Sequence, residues 1–181
     1  MKVLVVVDMQ KDFIDGSLGT KEAQAIVPNV KKKIKESVQN GDLIVYTRDT
    51  HYKNYIDTKE GQKLPVEHCI YKTDGWQIPE ELLPPFTYEN AFIINKETFG
   101  YQELAKKIKD ALVYSTGCEE IELVGLCTDI CVVSNALLLK AAFYEDYEIS
   151  VDASCCAGVT PVSHEAALKT MEMCQINIKR G

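Results

Sequence analysis

Six short apolar runs alternating with segments of helical spacing constrain this chain more than any other feature. The runs are Val3–Val7, Leu43–Thr47, Phe92–Asn95, Ile121–Gly125, Glu148–Val151 and Gln175–Ile178. The first and fourth are nearly continuous apolar segments, as strands covered on both faces require. Between the runs, Val27, Val30, Ile34 and Val38 recur at helical spacing, with Pro28 placed in the first turn. Leu104, Ile108 and Leu112 mark a second helix. Cys131–Phe143 is apolar almost all round and reads as a buried helix. Thr160 and Pro161 read as the cap and first residue of the last helix. Strand–helix alternation of this kind predicts a three-layer α/β/α fold: one doubly wound, mostly parallel, six-stranded sheet in a single domain spanning residues 1–181.

Residues 50–90 break the rhythm. They hold four prolines (Pro65, Pro79, Pro84 and Pro85), two of the three histidines and the only tryptophan. A long irregular insertion in a compact domain is usually functional. It follows the strand that ends near Asp49, so it should fold over the carboxyl edge of the sheet.

That edge is where ligands bind in open α/β sheets. Asp8, Lys96 and Cys131 each lie just past an apolar run, in LVVVD, FIINK and LVGLCTDIC. A carboxylate, an amine and a thiol therefore converge on one edge. Cys131 falls in the first turn of a helix, where unpaired amides and the dipole favour a thiolate and a lowered thiol pKa. Asp8 can accept the thiol proton, and Lys96 can support both anions. Cys127 competes with Cys131 as nucleophile; alternatively only its backbone amide serves an oxyanion. Taken singly, each of these residues also has an ordinary structural role as a packed cysteine, a turn-capping acid or a solvated lysine. Cys155 and Cys156 read as packing.

Asp49, His51, Glu60 and His68 offer two imidazoles and two carboxylates within and just before the insertion. Such donors suit Zn²⁺, and alternatively Mn²⁺ or Fe²⁺. His164, on the last helix, reads as a surface or satisfied structural histidine.

The net charge of −7 argues against nucleic acid as a partner. The only basic cluster, Lys31, Lys32, Lys33 and Lys35, reads as a solvated helix face. The Val3–Val7 run is too short for a signal core or a membrane span, and seven cysteines in a chain this size suit a reducing compartment. The chain therefore reads as cytoplasmic, with no membrane partner.

The stretches VVVDMQKDFIDGSL, TRDTH, EGQKLPVEHC, INKETFG, VGLCTDICVVSNA and VDASCCAGVTPVSHEAAL, in that order, resemble the isochorismatase-like cysteine hydrolase superfamily. Within it, TRDTH together with EHC resembles the metal-containing, nicotinamidase-like branch. The resemblance implies a catalytic triad of Asp8, Lys96 and Cys131, and a cis Leu126–Cys127 peptide. It implies an oxyanion hole from the amides of Cys127 and Cys131. Asp49, His51 and His68 match the metal ligands, and Glu60 matches one version of the fourth. Phe13 matches an aromatic wall of the substrate pocket, with Trp76 and Phe99 as candidates for the opposite wall. The implied reaction is hydrolysis of nicotinamide to nicotinate and ammonia by a homo-oligomer. Two other readings compete: a hydrolase of another small amide or carbamoyl compound, and a non-catalytic flavodoxin-like binding module. No Gly-x-Gly-x-x-Gly follows the first strand, which disfavours a Rossmann dehydrogenase.

Overall fold

A computed structural model describes residues 1–113 and 117–181. The strands are β1 (Lys2–Val7), β2 (Leu43–Asp49), β3 (Ala91–Lys96), β4 (Glu120–Leu126), β5 (Glu148–Ala157) and β6 (Asn177–Lys179). The helices are α1 (Lys11–Ile14), α2 (Lys21–Asn40), α3 (Leu104–Leu112), α4 (Val133–Ala142) and α5 (Pro161–Met173). The sheet order is β3-β2-β1-β4-β5-β6, and every pairing is parallel. This is a doubly wound sheet whose strand order reverses between β1 and β4.

Period-two alternation survives even in strands buried on both faces. Val3, Val5 and Val7 of β1 join the core under α3, α4 and α5. Leu4 and Val6 join the core under α2 and part of the insertion. Leu104, Ile108 and Leu112 form the buried stripe of α3, as their spacing predicts. Among the described residues, no helix is long and apolar enough to cross a membrane.

Four details differ from the sequence-based reading. Helix α2 begins at Lys21, not near Pro28, because the Thr20 hydroxyl accepts from the Ala23 amide at 3.0 Å and caps it there. Pro28 sits inside the helix and costs it one backbone hydrogen bond. Strand β5 runs on through Cys155 and Cys156, which pack into opposite cores. The segment after β4 opens as a π-helical turn, Thr128–Val132, before α4, and Leu138 of α4 is 37% exposed. Of the four clustered lysines, Lys33 is not simply solvated: its ammonium pairs with Asp152 at 2.6 Å and Glu122 at 3.4 Å.

Gly125 is required where β1 and β4 meet. Its φ is +119°, and a Cβ there would lie 2.1 Å from the Val7 carbonyl oxygen. The β4–β5 register shifts between Leu123 and Gly125, at the strand end leading into the turn that carries Cys131.

Candidate active site

Each element contributes one reacting group at the carboxyl edge. Asp8 follows β1 directly, with a left-handed φ of +47° that aspartate tolerates better than most residues. Its amide donates to the Thr47 carbonyl at 3.2 Å, and the Thr47 hydroxyl donates to Asp8 Oδ1 at 2.8 Å. That leaves Asp8 Oδ2 facing Lys96, whose Nζ is 2.7 Å away. Lys96, the last residue of β3, also donates to Cys131 Sγ at 3.6 Å and lies 3.6 Å from Asp49 Oδ1. Both side chains of the Asp8–Lys96 pair are fully buried. The structure thus brings Asp8, Lys96 and Cys131 together.

Burial dominates the electrostatics. It works against the charge on Lys96, but Asp8, Cys131 and Asp49 outweigh it and hold the ammonium above its ordinary range. Burial also raises the Asp8 pKa against the pull of Lys96, with Asp49 adding to the rise. The lowered thiol pKa expected for Cys131 is not found. Burial, then Asp8, push that thiol well up, and Lys96 only partly offsets them. Burial therefore favours the thiol form. Cys127 is pushed up to about 12 by burial, then by Asp129 and Asp8. It lines the same cavity. The Leu126–Cys127 peptide bond is cis.

Next to the triad, Asp49, His51 and His68 bring one donor atom each within 4.8 Å of one another. His51 Nε2 is 2.9 Å from Asp49 Oδ2, and His68 Nε2 is 3.7 Å from the same oxygen. Glu60 Oε1 approaches the two imidazole nitrogens at 3.6 and 3.9 Å. His68 Nδ1 lies 2.8 Å from the Val66 carbonyl, so Nδ1 carries the proton and Nε2 offers a lone pair to the cluster. His51 Nε2 is buried without a well-formed hydrogen bond among the described residues. An orphaned imidazole nitrogen facing carboxylates is what a divalent-metal site looks like before its ion is counted, and these donors fit one.

The Asp49 position depends on a residue that the sequence reading overlooked. Gln10 is buried; its Oε1 accepts from the Asp49 amide at 2.7 Å, and its Nε2 donates to the carbonyls of Asp49 and Trp76 at 2.9 and 3.0 Å. Thr47 was overlooked likewise. For Thr47 the available signal was a polar residue at the end of an apolar run; Gln10, between Met9 and Lys11, offered none.

A cavity of about 520 Å³ opens onto Cys131, Asp49, Glu60 and His68. Phe13 and Phe99 line it, together with Leu18, Ile130 and Val159. Trp76 does not. It is buried elsewhere: its Nε1 donates to Thr50 Oγ1 at 2.9 Å, and the Arg48 guanidinium stacks 3.3 Å above its ring. An indole N–H needs a partner once buried, and Thr50 supplies it away from the cavity. His164 is a satisfied structural histidine, with Nδ1 2.8 Å from the Thr128 hydroxyl.

A thiol, a base and an amine around a cavity at the switch point of a doubly wound sheet define an α/β enzyme. The isochorismatase domain matches residues 2–179, and the chain belongs to that family of hydrolases. A solved pyrazinamidase of Pyrococcus horikoshii, in complex with zinc, is 30% identical, covers 99% of both chains and superposes with a TM-score of 0.81. An N-carbamoylsarcosine amidase of Thermoplasma acidophilum is 28% identical, with 99% of this chain and 95% of that one covered, at a TM-score of 0.76. A nicotinamidase of Saccharomyces cerevisiae is 25% identical over 76% of this chain and 80% of its own length.

Proposed function

We propose that this hydrolase is a nicotinamidase, cleaving nicotinamide to nicotinate and ammonia through a thioester on Cys131. The observation that carries the reading is the buried contact chain Asp8–Lys96–Cys131, with Lys96 2.7 Å from the carboxylate and 3.6 Å from the sulfur. The likeness to a nicotinamidase and to a zinc-bound pyrazinamidase supports the choice of a heteroaromatic amide.

Asp8 takes the proton of Cys131 as the sulfur attacks the amide carbon. Lys96 holds its charge beside both groups and stabilises the thiolate as it forms. The amides of Cys127 and Cys131 face the oxygen of the tetrahedral adduct, where one donor is worth about 10²–10³ in rate. Asp8 then returns its proton to the departing nitrogen, and the C–N bond breaks to release ammonia. A water that gives its proton to Asp8 cleaves the thioester, releasing nicotinate and restoring the thiol. Asp49, His51 and His68 would hold a divalent ion, with Glu60 as the fourth ligand. Such an ion supplies a Lewis-acid anchor that places a pyridine nitrogen. Phe13 and Phe99 then confine the ring.

The likeness to an N-carbamoylsarcosine amidase favours one second reading, a carbamoyl compound as substrate. Ammonia release measured in parallel from nicotinamide and from N-carbamoyl amino acids, with zinc or manganese added, separates the two. Release from nicotinamide alone supports our reading; release only from carbamoyl compounds overturns it. We also take the protein to be cytoplasmic, supported by seven free cysteines, and a homo-oligomer. Light scattering after size exclusion tests the second point.

A further inference from the structure

Helix α4 carries one polar side chain into an apolar core, and it points at a loop rather than at solvent. Asn135 is wholly buried. Its Nδ2 donates to the Cys131 carbonyl at 2.8 Å, one turn back along the helix. The same nitrogen donates to the Phe99 carbonyl at 3.1 Å, and its Oδ1 accepts from the Tyr101 amide at 2.9 Å. One amide thus joins the backbone of the sulfur-bearing residue to the loop after β3. The loop lies tight against α4 at this point. A Cβ on Gly100 would come within 2.8 Å of Leu138 Cδ1 and 3.1 Å of Ser134 Cβ. The Phe99 side chain projects from this tethered stretch to line the cavity while remaining 46% exposed.

We infer that Asn135 is a positioning residue that sets the Phe99 wall at a fixed distance from the Cys131 sulfur, and so governs substrate affinity. The physical reason is that Phe99 has little packing of its own to hold it. An exposed aromatic on a short loop keeps its place only if the backbone beside it is pinned. Asn135 pins the carbonyl of Phe99 and the amide of Tyr101. A hydroxyl or an aliphatic side chain of similar size cannot bond both, because only a carboxamide offers a donor and an acceptor at that span. The kinetic consequence rests on the amide-hydrolase reading above; the tether itself does not.

Two measurements on Asn135→Ala and Asn135→Ser test it. Serine keeps a hydroxyl able to reach the Cys131 carbonyl within the helix but cannot reach the loop, so it preserves helix stability while cutting the tether. Exchange of the Tyr101 amide hydrogen, followed by NMR, should be slow in the native protein and at least about tenfold faster in both variants. This readout needs no substrate, so it stands even if nicotinamide proves inert. Steady-state ammonia release from nicotinamide should then show KM raised about tenfold with kcat within about twofold. In a Phe99→Ala background, Asn135→Ser should add less than about twofold to KM, because both changes remove the same wall. Unchanged Tyr101 exchange, or KM effects that multiply in the double variant, would overturn the inference. Failure of the native enzyme to release ammonia from nicotinamide, with Tyr101 exchange still accelerated in the variants, would instead count against the proposed substrate alone.

Discussion

Two clusters of ion pairs sit on this one sheet, and one of them borders the cavity. On the β4–β6 side, Glu122 and Asp152 share Lys33, and Lys179 bonds Glu122 at 2.6 Å. Lys2 and Ser150 complete the coordination of Glu120. Each charge there has several partners, and the lysines reach partial solvent. At the carboxyl edge, Asp8, Lys96 and Asp49 hold the same kinds of groups with no solvent at Lys96 or Asp8. One ammonium, Lys96, lies 2.7 Å from Asp8 and 3.6 Å from Asp49. The proposed mechanism draws on the second cluster alone, where burial favours the thiol form of Cys131 and raises the Asp8 pKa beside it. Under that mechanism, desolvation beside a cavity, not the residue types, separates the reactive cluster from the structural one.

Five changes would break or sharpen that contrast. Cys131→Ala removes only a sulfur from the reactive cluster, so ammonia release should fall by at least about 10⁴-fold with an unchanged circular dichroism spectrum. Lys96→Met should abolish activity and also cost about 3–5 kcal/mol in urea unfolding, because it strands the buried Asp8 carboxylate. Lys179→Met, in the other cluster, should cost only about 0–1 kcal/mol and leave activity intact. Equal costs for the two lysines would erase the distinction.

Removing divalent metal with a chelator, checked by elemental analysis, should raise KM for nicotinamide at least about tenfold. Alkylation of Cys131 should proceed as before, because Asp8 and Lys96 stay in place. Alkylation that slows in step with metal loss would show that the two halves of the reactive cluster are not separable.

The smallest effect concerns acid. Pairing with Lys179 and Lys2 overcomes the burial penalty on Glu120 and holds its pKa at about 2, below the ordinary 4.5. A depressed folded pKa stabilises the protein above the unfolded value, and that contribution disappears as pH falls toward the folded one. Between about pH 5 and pH 2 the native protein should lose on the order of 1 kcal/mol from this group, discounted for its partial exposure. Glu120→Gln should flatten that limb of the urea midpoint against pH, with activity near neutrality unaltered.

The two clusters were not equally legible in the sequence. Asp8, Asp49 and Lys96 stand where apolar runs stop, and strand periodicity puts such residues at the edge of a parallel sheet. Cys131 follows the same logic through a short turn. The parallel, doubly wound six-stranded sheet follows from the alternation of runs and helical stripes, whereas the strand order is a tertiary fact that alternation does not give. The Lys33 pairing did not show, because it depends on which face of α2 meets β4 and β5, a tertiary fact absent from local spacing. Trp76 misled for a related reason. The insertion has no periodicity, so nothing in it says which aromatic turns toward the cavity and which is claimed by Arg48 and Thr50. Gln10, between Met9 and Lys11, carries no trace, while Thr47 and Asn135 carry a weaker one, each a polar residue in or at the end of an apolar run. Such a residue announces that a hydrogen-bonding partner exists without saying where.

The amine of the proposed mechanism stands on an edge strand. Strand β3 pairs with β2 alone, and Lys96 is its final residue. Sheet borders peel before sheet centres. Mild heat or denaturant should therefore silence this enzyme while its interior is still folded, and recovery on cooling should be as quick as re-laying a single ribbon of chain.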